Sequence, residues 1–171
     1  MNIFVLDKSP ATAAEMLCDC HVRKMCVETA QILSGVILRQ GKELLPGMPR
    51  PQNINHPVIK AVDTPQKINW VINYYMVLLN EYYNRFGKDH VYEDISVDYF
   101  NALVRIIRTP IADPEWCAGL AKCCGELDVR DLDVVTAYRK YYTEVKKPQL
   151  TDKKLWKFTK REDWTECNLK N

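Results

Sequence analysis

No charge of one sign dominates this chain: 24 basic residues stand against 22 acidic ones, a net charge of +2, so bulk electrostatics neither demand nor forbid a polyanionic partner. No apolar run reaches the length a bilayer requires, and no charged-then-apolar leader with a small-residue cleavage site opens the sequence. Residence in the cytoplasm is the expectation, with no membrane partner. The seven cysteines include no Cys-x-x-Cys pair, so reduced, mostly buried thiols are expected. On one continuous helix Cys18 and Cys20 would diverge by about 160°, too far to chelate one ion locally. With three scattered histidines and no close carboxylate pair on one turn, neither a metal nor a cofactor is expected. Strand signals are nearly absent, and there is no internal repeat or low-complexity segment.

What is present is enough apolar material for one core: 171 residues, 47% of them hydrophobic, predict a single all-α domain over residues 1–171. Asn2 to Leu6 reads as a short extended segment that pins the N-terminus to the body. A long helix is expected from about Ala11 to Arg39, closed by Gly41 and followed by a proline-rich connection that cannot stay helical. Thr64-Pro65 is an N-cap followed by proline at the first helical position. It should start a second, central helix that runs to about Arg85 and stops at Gly87. Further helices are expected from after Ser96 to near Arg108, from Asp113-Pro114 through Cys124, and from about Leu132 to Lys146.

The first helix carries the most informative pattern. At about 100° per residue, Leu17, His21, Lys24, Glu28, Gln31 and Gly35 share one narrow arc beside an apolar one formed by Cys18, Val22, Met25, Thr29, Ile32, Leu33, Val36 and Ile37. A carboxylate placed so can act as a general base, stabilise a developing cation, or pair with Lys24. That pairing, the plainest outcome, contributes only a few tenths of a kcal/mol on a surface. His21 taken alone would more ordinarily be a core histidine bonded to a backbone carbonyl. His56, beside Asn55 in a proline-bounded loop, is a second histidine that the backbone can aim inward. His90 lies just past Gly87 and is expected as a solvated helix-end cap, and Asp19 as a partner for the start of its helix or for Arg23. Between Tyr138 and Arg161, nine basic residues against two acidic ones are interleaved with aromatics. Such a segment suits phosphates and bases, or is a solvated tail with aromatics docked on the core.

Asp19-Cys20-His21 with Glu28 seven residues on, His56 with the segment after it, Leu79 to Gly87, and Thr136 to Tyr142 together resemble the pyrimidine-dimer DNA glycosylases of the phage endonuclease V type. The matches span most of residues 11–145. The resemblance implies a compact, mainly helical, endonuclease V-like fold that cleaves N-glycosidic bonds of a flipped or exposed nucleotide. It implies that an N-terminal amine attacks the anomeric carbon, that Glu28 assists, and that His21 supports substrate contacts. The chain departs from the pattern at Asn2, where the family exposes a threonine amine, and at Val27 and Gln31, where the family has DNA-gripping arginines. The nucleophile is then the Met1 amine, Lys24 or a water activated by Glu28. Weaker phosphate contacts favour recognition of a small nucleotide over a long duplex footprint.

The expected function is therefore cleavage of an N-glycosidic bond in DNA or in a free or cyclic nucleotide signal. The latter would suit a viral counter-defence protein working in the host cytoplasm. Glu28, His21 and Lys24 are the candidate catalytic residues. Gln31, Asn55, His56, Tyr138, Arg139, Lys140 and Tyr142 are the candidate substrate contacts, and self-association stays open. The competing expectation is a non-catalytic nucleotide or single-strand binding module that uses the same pocket.

Overall fold

A computed structural model describes residues 1–107 and 119–150, and among these residues the chain is all-α, without a strand. Six helices come in sequence: α1 Pro10–Glu15, α2 Asp19–Arg39, α3 Pro57–Ala61, α4 Pro65–Phe86, α5 Ser96–Ile107 and α6 Val134–Tyr141. Beyond α6 the chain widens into a π-helical turn, Tyr142–Lys146, and tightens into a 3-10 turn, Lys147–Gln149. None of these helices is long and apolar enough to cross a membrane.

The central helix forms as its sequence predicts. The Thr64 hydroxyl accepts from Lys67 N–H, Pro65 occupies the first turn, and Gly87 ends the helix at φ +65°, a left-handed conformation that glycine adopts without a Cβ penalty. α4 packs along α1 and α2, α3 lies on α2, and α5 touches both α2 and α4. The apolar arc of α2 is buried as expected. Trp70, Tyr74, Tyr75, Tyr99, Tyr138 and Tyr142 are fully buried. Their polar atoms find partners in most cases: Trp70 Nε1 donates to Lys8 O at 2.7 Å, and Tyr99 Oη lies 2.5 Å from Ser34 Oγ.

Several expectations are corrected. The first helix is two, because Met16 to Cys18 break it and Cys18 becomes the extended N-cap of α2 (φ −70°, ψ 159°). Arg85 explains how that break is held. Its guanidinium donates to Leu17 O (2.6 Å), Glu15 O (2.9 Å) and Glu81 (2.8 Å) and pairs with Asp19 at 3.4 Å, taking up carbonyls that α1 leaves open. Asp19 thus meets Arg85, while Arg23 lies over the Phe86 ring at 4.2 Å. The loop after Pro51 ends in an unanticipated short helix, α3, with His56 as its N-cap.

Residues 119–124 are not helical, and the rest of the helix expected from Asp113 lies outside the described residues. The last helix starts at Val134 because the Asp133 carboxylate caps it, accepting from Val135 N–H and Thr136 N–H. His90 is buried instead of solvated. Its ring meets Tyr82 and Tyr92, and its Nδ1 accepts from Tyr92 N–H at 3.2 Å.

Candidate functional site

The N-terminal segment reaches the carboxylate of α2. Asn2 N–H donates to Glu28 Oε2 at 2.6 Å, and Asn2 Nδ2 donates to Cys123 O at 2.9 Å. The Asn2 side-chain oxygen turns back to accept from Ile3 N–H at 2.8 Å. Phe4, next in line, is fully buried at φ +43°, a left-handed conformation that costs a non-glycine residue about 1 kcal/mol or more. Burial of Ile3, Phe4, Val5 and Leu6 offsets that strain and holds the chain's start against the middle of α2. Arg139 ties the far end of the segment, donating to Leu6 O at 2.6 Å and to Asp7 at 2.8 Å.

Glu28 is mostly covered, its side chain 15% exposed, and its other oxygen lies 3.5 Å from Lys24 Nζ, which is half exposed. His56 faces the same neighbourhood. Burial pushes its imidazole below the usual value, the positive N-terminal amine lowers it further, and the Glu28 carboxylate raises it. The amine's field also reaches the Cys123 thiol. His56 thus senses charge from both the N-terminal amine and Glu28. Gly35 gives the Ile59 side chain of α3 its room against α2, since a Cβ there would sit 2.5 Å from Ile59 Cδ1 and 2.9 Å from Ile59 Cγ2. His56 Nδ1 accepts from Val58 N–H at 3.3 Å, which leaves Nε2 as the ring nitrogen outside that cap.

His21 does something else. It is buried, its Nδ1 lies 2.6 Å from Tyr142 Oη and 3.3 Å from Cys18 Sγ, and its ring packs on Phe4. Because Cys18 is outside the helix, its sulfur comes within 3.4 Å of Cys20 Sγ, and the divergence expected from helical spacing does not occur. Contact with Cys20 holds the Cys18 thiol down to about 4 against the opposing effect of burial, with His21 and Tyr142 adding to the lowering.

The aromatic–basic segment is not a stacking face over the residues described. Tyr138 is buried, with its hydroxyl donating to Ala121 O and accepting from Cys123 N–H, and Tyr142 is buried against Cys18 and His21. These rings have no surface left for a ligand. Arg139 serves Asp7 and Leu6, and Lys140 is half-buried on α6. Gln31 is half-buried one turn along from Glu28, and Asn55 is exposed and held by Arg39 at 3.0 Å. The basic residues from Lys153 to Arg161 lie outside the described residues. A cavity of about 570 Å³ between the end of α2 and α5 is lined by Ile37, Gln40, Glu43, Asp98 and Arg105 among others and contains none of the anticipated site residues.

Sequence spacing missed Asn2 and Cys123 as parts of the site. The apolar run after Asn2 is the available sign that the chain's start is anchored. A sequence model of the pyrimidine dimer DNA glycosylase family matches residues 1–94, more than half of the chain and every residue that carries the Glu28 cluster apart from Cys123. No curated protein and no solved structure matches. The chain belongs to the pyrimidine dimer DNA glycosylase family.

Proposed function

We propose that this member of the family hydrolyses the N-glycosidic bond of a nucleotide in DNA, with Glu28 as the carboxylate that faces the sugar. The observation that carries the proposal is the 2.6 Å hydrogen bond from Asn2 N–H to Glu28 Oε2, which fastens the chain's first residues to a mostly covered carboxylate. As the C1′–N bond breaks, its electron pair leaves with the base and positive charge grows on the sugar. The carboxylate stabilises that charge most strongly where water is scarce. A water gives a proton to Glu28 as its oxygen bonds C1′, and that proton passes on to the departing base, leaving free base and a sugar hydroxyl. His56 Nε2 is suited to orient the water or the sugar.

A second nucleophile has a specific observation in its favour: the hydrogen bond from Asn2 N–H to Glu28 leaves the Met1 amine one residue away from the carboxylate. Attack by the Met1 amine would form a C1′–N bond to the protein as the C1′–base bond breaks and the base leaves with its electron pair; loss of a proton from the nitrogen and opening of the sugar ring would then give an imine. Borohydride separates the two routes, because it traps the imine as a covalent adduct and leaves the hydrolytic route untouched. The non-catalytic module has less support, since Tyr138 and Tyr142, two of its proposed stacking rings, are buried, and the third, Trp156, lies outside the described residues.

The test is abasic-site formation on dimer-containing duplex, run beside chromatography of free and cyclic nucleotides. Glu28→Gln should retain binding and lose turnover by about two to four orders of magnitude, the range for removing a general base. Base release from a free or cyclic nucleotide alone would move the substrate from DNA to a small signal, as a counter-defence protein would require. Release from neither by the wild type, with binding intact, overturns the proposal.

A further inference from the structure

The start of α2 gathers a second set of groups that the hydrolytic step proposed above does not use. Cys18 Sγ, Cys20 Sγ and a ring nitrogen of His21 all lie within 4.8 Å of one another, with Cys18 Sγ 3.4 Å from Cys20 Sγ and 3.3 Å from His21 Nδ1. The Tyr142 hydroxyl closes a fourth side, 3.2 Å from Cys18 Sγ and 2.6 Å from His21 Nδ1. We infer that Cys18, Cys20 and His21 form a binding site for a thiophilic divalent cation of the zinc class, with Tyr142 at the fourth position.

Geometry is the first support. A tetrahedral zinc with bonds of about 2.3 Å to sulfur and about 2.0 Å to nitrogen separates two sulfurs by about 3.8 Å and a sulfur from a nitrogen by about 3.5 Å. The Cys18–Cys20 and Cys18–His21 separations are shorter than these by only a few tenths of an ångström, while the 2.6 Å between Tyr142 Oη and His21 Nδ1 must widen further, so entry of an ion requires the side chains to spread apart. Cys18 is positioned for this by its extended N-cap backbone, which turns its sulfur to the side of Cys20 that a helical residue could not reach. Donor chemistry is the second support. Two thiolates and an imidazole form a soft set that selects zinc-like cations over magnesium or calcium. Two thiolates also cancel the ion's double charge, which suits a place where Cys18, His21 and Tyr142 are buried.

An ion here would tie the first turn of α2 to the π-helical turn at Tyr142, across 121 residues of chain from His21. Phe4 packs against both His21 and Tyr142, with ring centroids 4.9 and 5.3 Å away, so the ion would sit beneath the segment that carries Asn2 to Glu28. The site is structural in kind, since the three protein ligands and the phenol leave no position for substrate.

The experiment is a cobalt(II) titration of the full-length, reduced protein, read by absorption. The expected result is one equivalent bound, with a thiolate-to-cobalt charge-transfer band and tetrahedral ligand-field bands, both erased by added zinc. Cys20→Ser should abolish the bands and still fold, because Cys20 is the most exposed of the three ligands. Zinc should raise the melting temperature of the wild type and leave that of Cys20→Ser unchanged. A Cys117→Ser/Cys167→Ser double variant should retain the bands. The inference is overturned if the reduced wild type gives no charge-transfer band, if the band survives Cys20→Ser, or if it disappears in the Cys117/Cys167 variant.

Discussion

Replacing Arg85 with methionine tests the clasp that sets the start of α2. The guanidinium is 7% exposed and serves four acceptors at once, two of them main-chain carbonyls at the break between α1 and α2. Methionine keeps most of the volume and removes every donor. Asp19, with a side chain 8% exposed, would then lose that cationic partner, whereas Glu81, more open, can turn towards water. Breaking a buried pair from one side costs about 3–5 kcal/mol. For a chain of this size each kcal/mol moves the melting temperature by about 2–4 °C, so a fall of roughly 6–20 °C is expected by calorimetry or circular dichroism. Asp19→Asn in the same background should recover part of the loss, because the stranded charge is gone, and the two substitutions should be non-additive. Arg85→Lys should fall between, since one ammonium cannot reach four acceptors spread around a planar fork. A loss below about 1 kcal/mol for Arg85→Met, or strict additivity with Asp19→Asn, would refute the account of Arg85 as the group that completes the helix break.

Gly35→Val should separate site geometry from stability: the new side chain meets the buried Ile59 of α3, and a displacement of α3 would carry His56 with it. A loss of about 1–3 kcal/mol is expected from overpacking, with turnover falling while substrate binding is retained; unchanged turnover would show that α3 does not position the site. Acid should weaken the fold through His90, whose imidazole burial holds below 6.5. The unfolded chain then binds more protons than the folded one, so the contribution is fully present above about pH 6.5 and is lost as pH falls through the lower folded value. Denaturant melts at neutral and mildly acid pH should show this slope in the wild type and a shallower one in His90→Phe, and equal slopes would remove His90 as the cause.

The elements legible in the sequence are those whose ends are written locally. Thr64-Pro65 and Gly87 bound α4 because capping and left-handed termination are decided within a few residues. The break after α1 is not legible, since Met16 to Cys18 contain neither glycine nor proline. What stops the helix there is a guanidinium donated from Arg85, 70 residues away from Glu15. The end of α6 escapes sequence reasoning for a related reason: the stretch to Lys146 does stay helical, but its hydrogen bonding widens into a π turn at Tyr142.

The same division explains the site. Glu28 stands out because its arc on α2 runs alongside an apolar arc, and periodicity reports that without any tertiary information. Its partners cannot be read so, because each arrives from a different distance: Asn2 from 26 residues before it and Cys123 from 121 residues beyond Asn2. Composition suggests a stacking surface at Tyr138 and Tyr142, yet composition cannot distinguish an aromatic that awaits a base from one that fills a core. Their hydroxyls decide it, since each is spent on protein partners at Ala121, Cys123, Cys18 and His21. Cys18 is the sharpest case. Helical spacing sends its sulfur to the far side from Cys20, and a single extended residue at the N-cap reverses that and brings two thiols and an imidazole together. One backbone conformation, fixed by Arg85 on the carbonyl of Leu17, thus governs both the clasp and the ligand cluster. Arg85→Met should therefore weaken cobalt binding as well as stability, whereas Cys20→Ser should touch the first and spare the second.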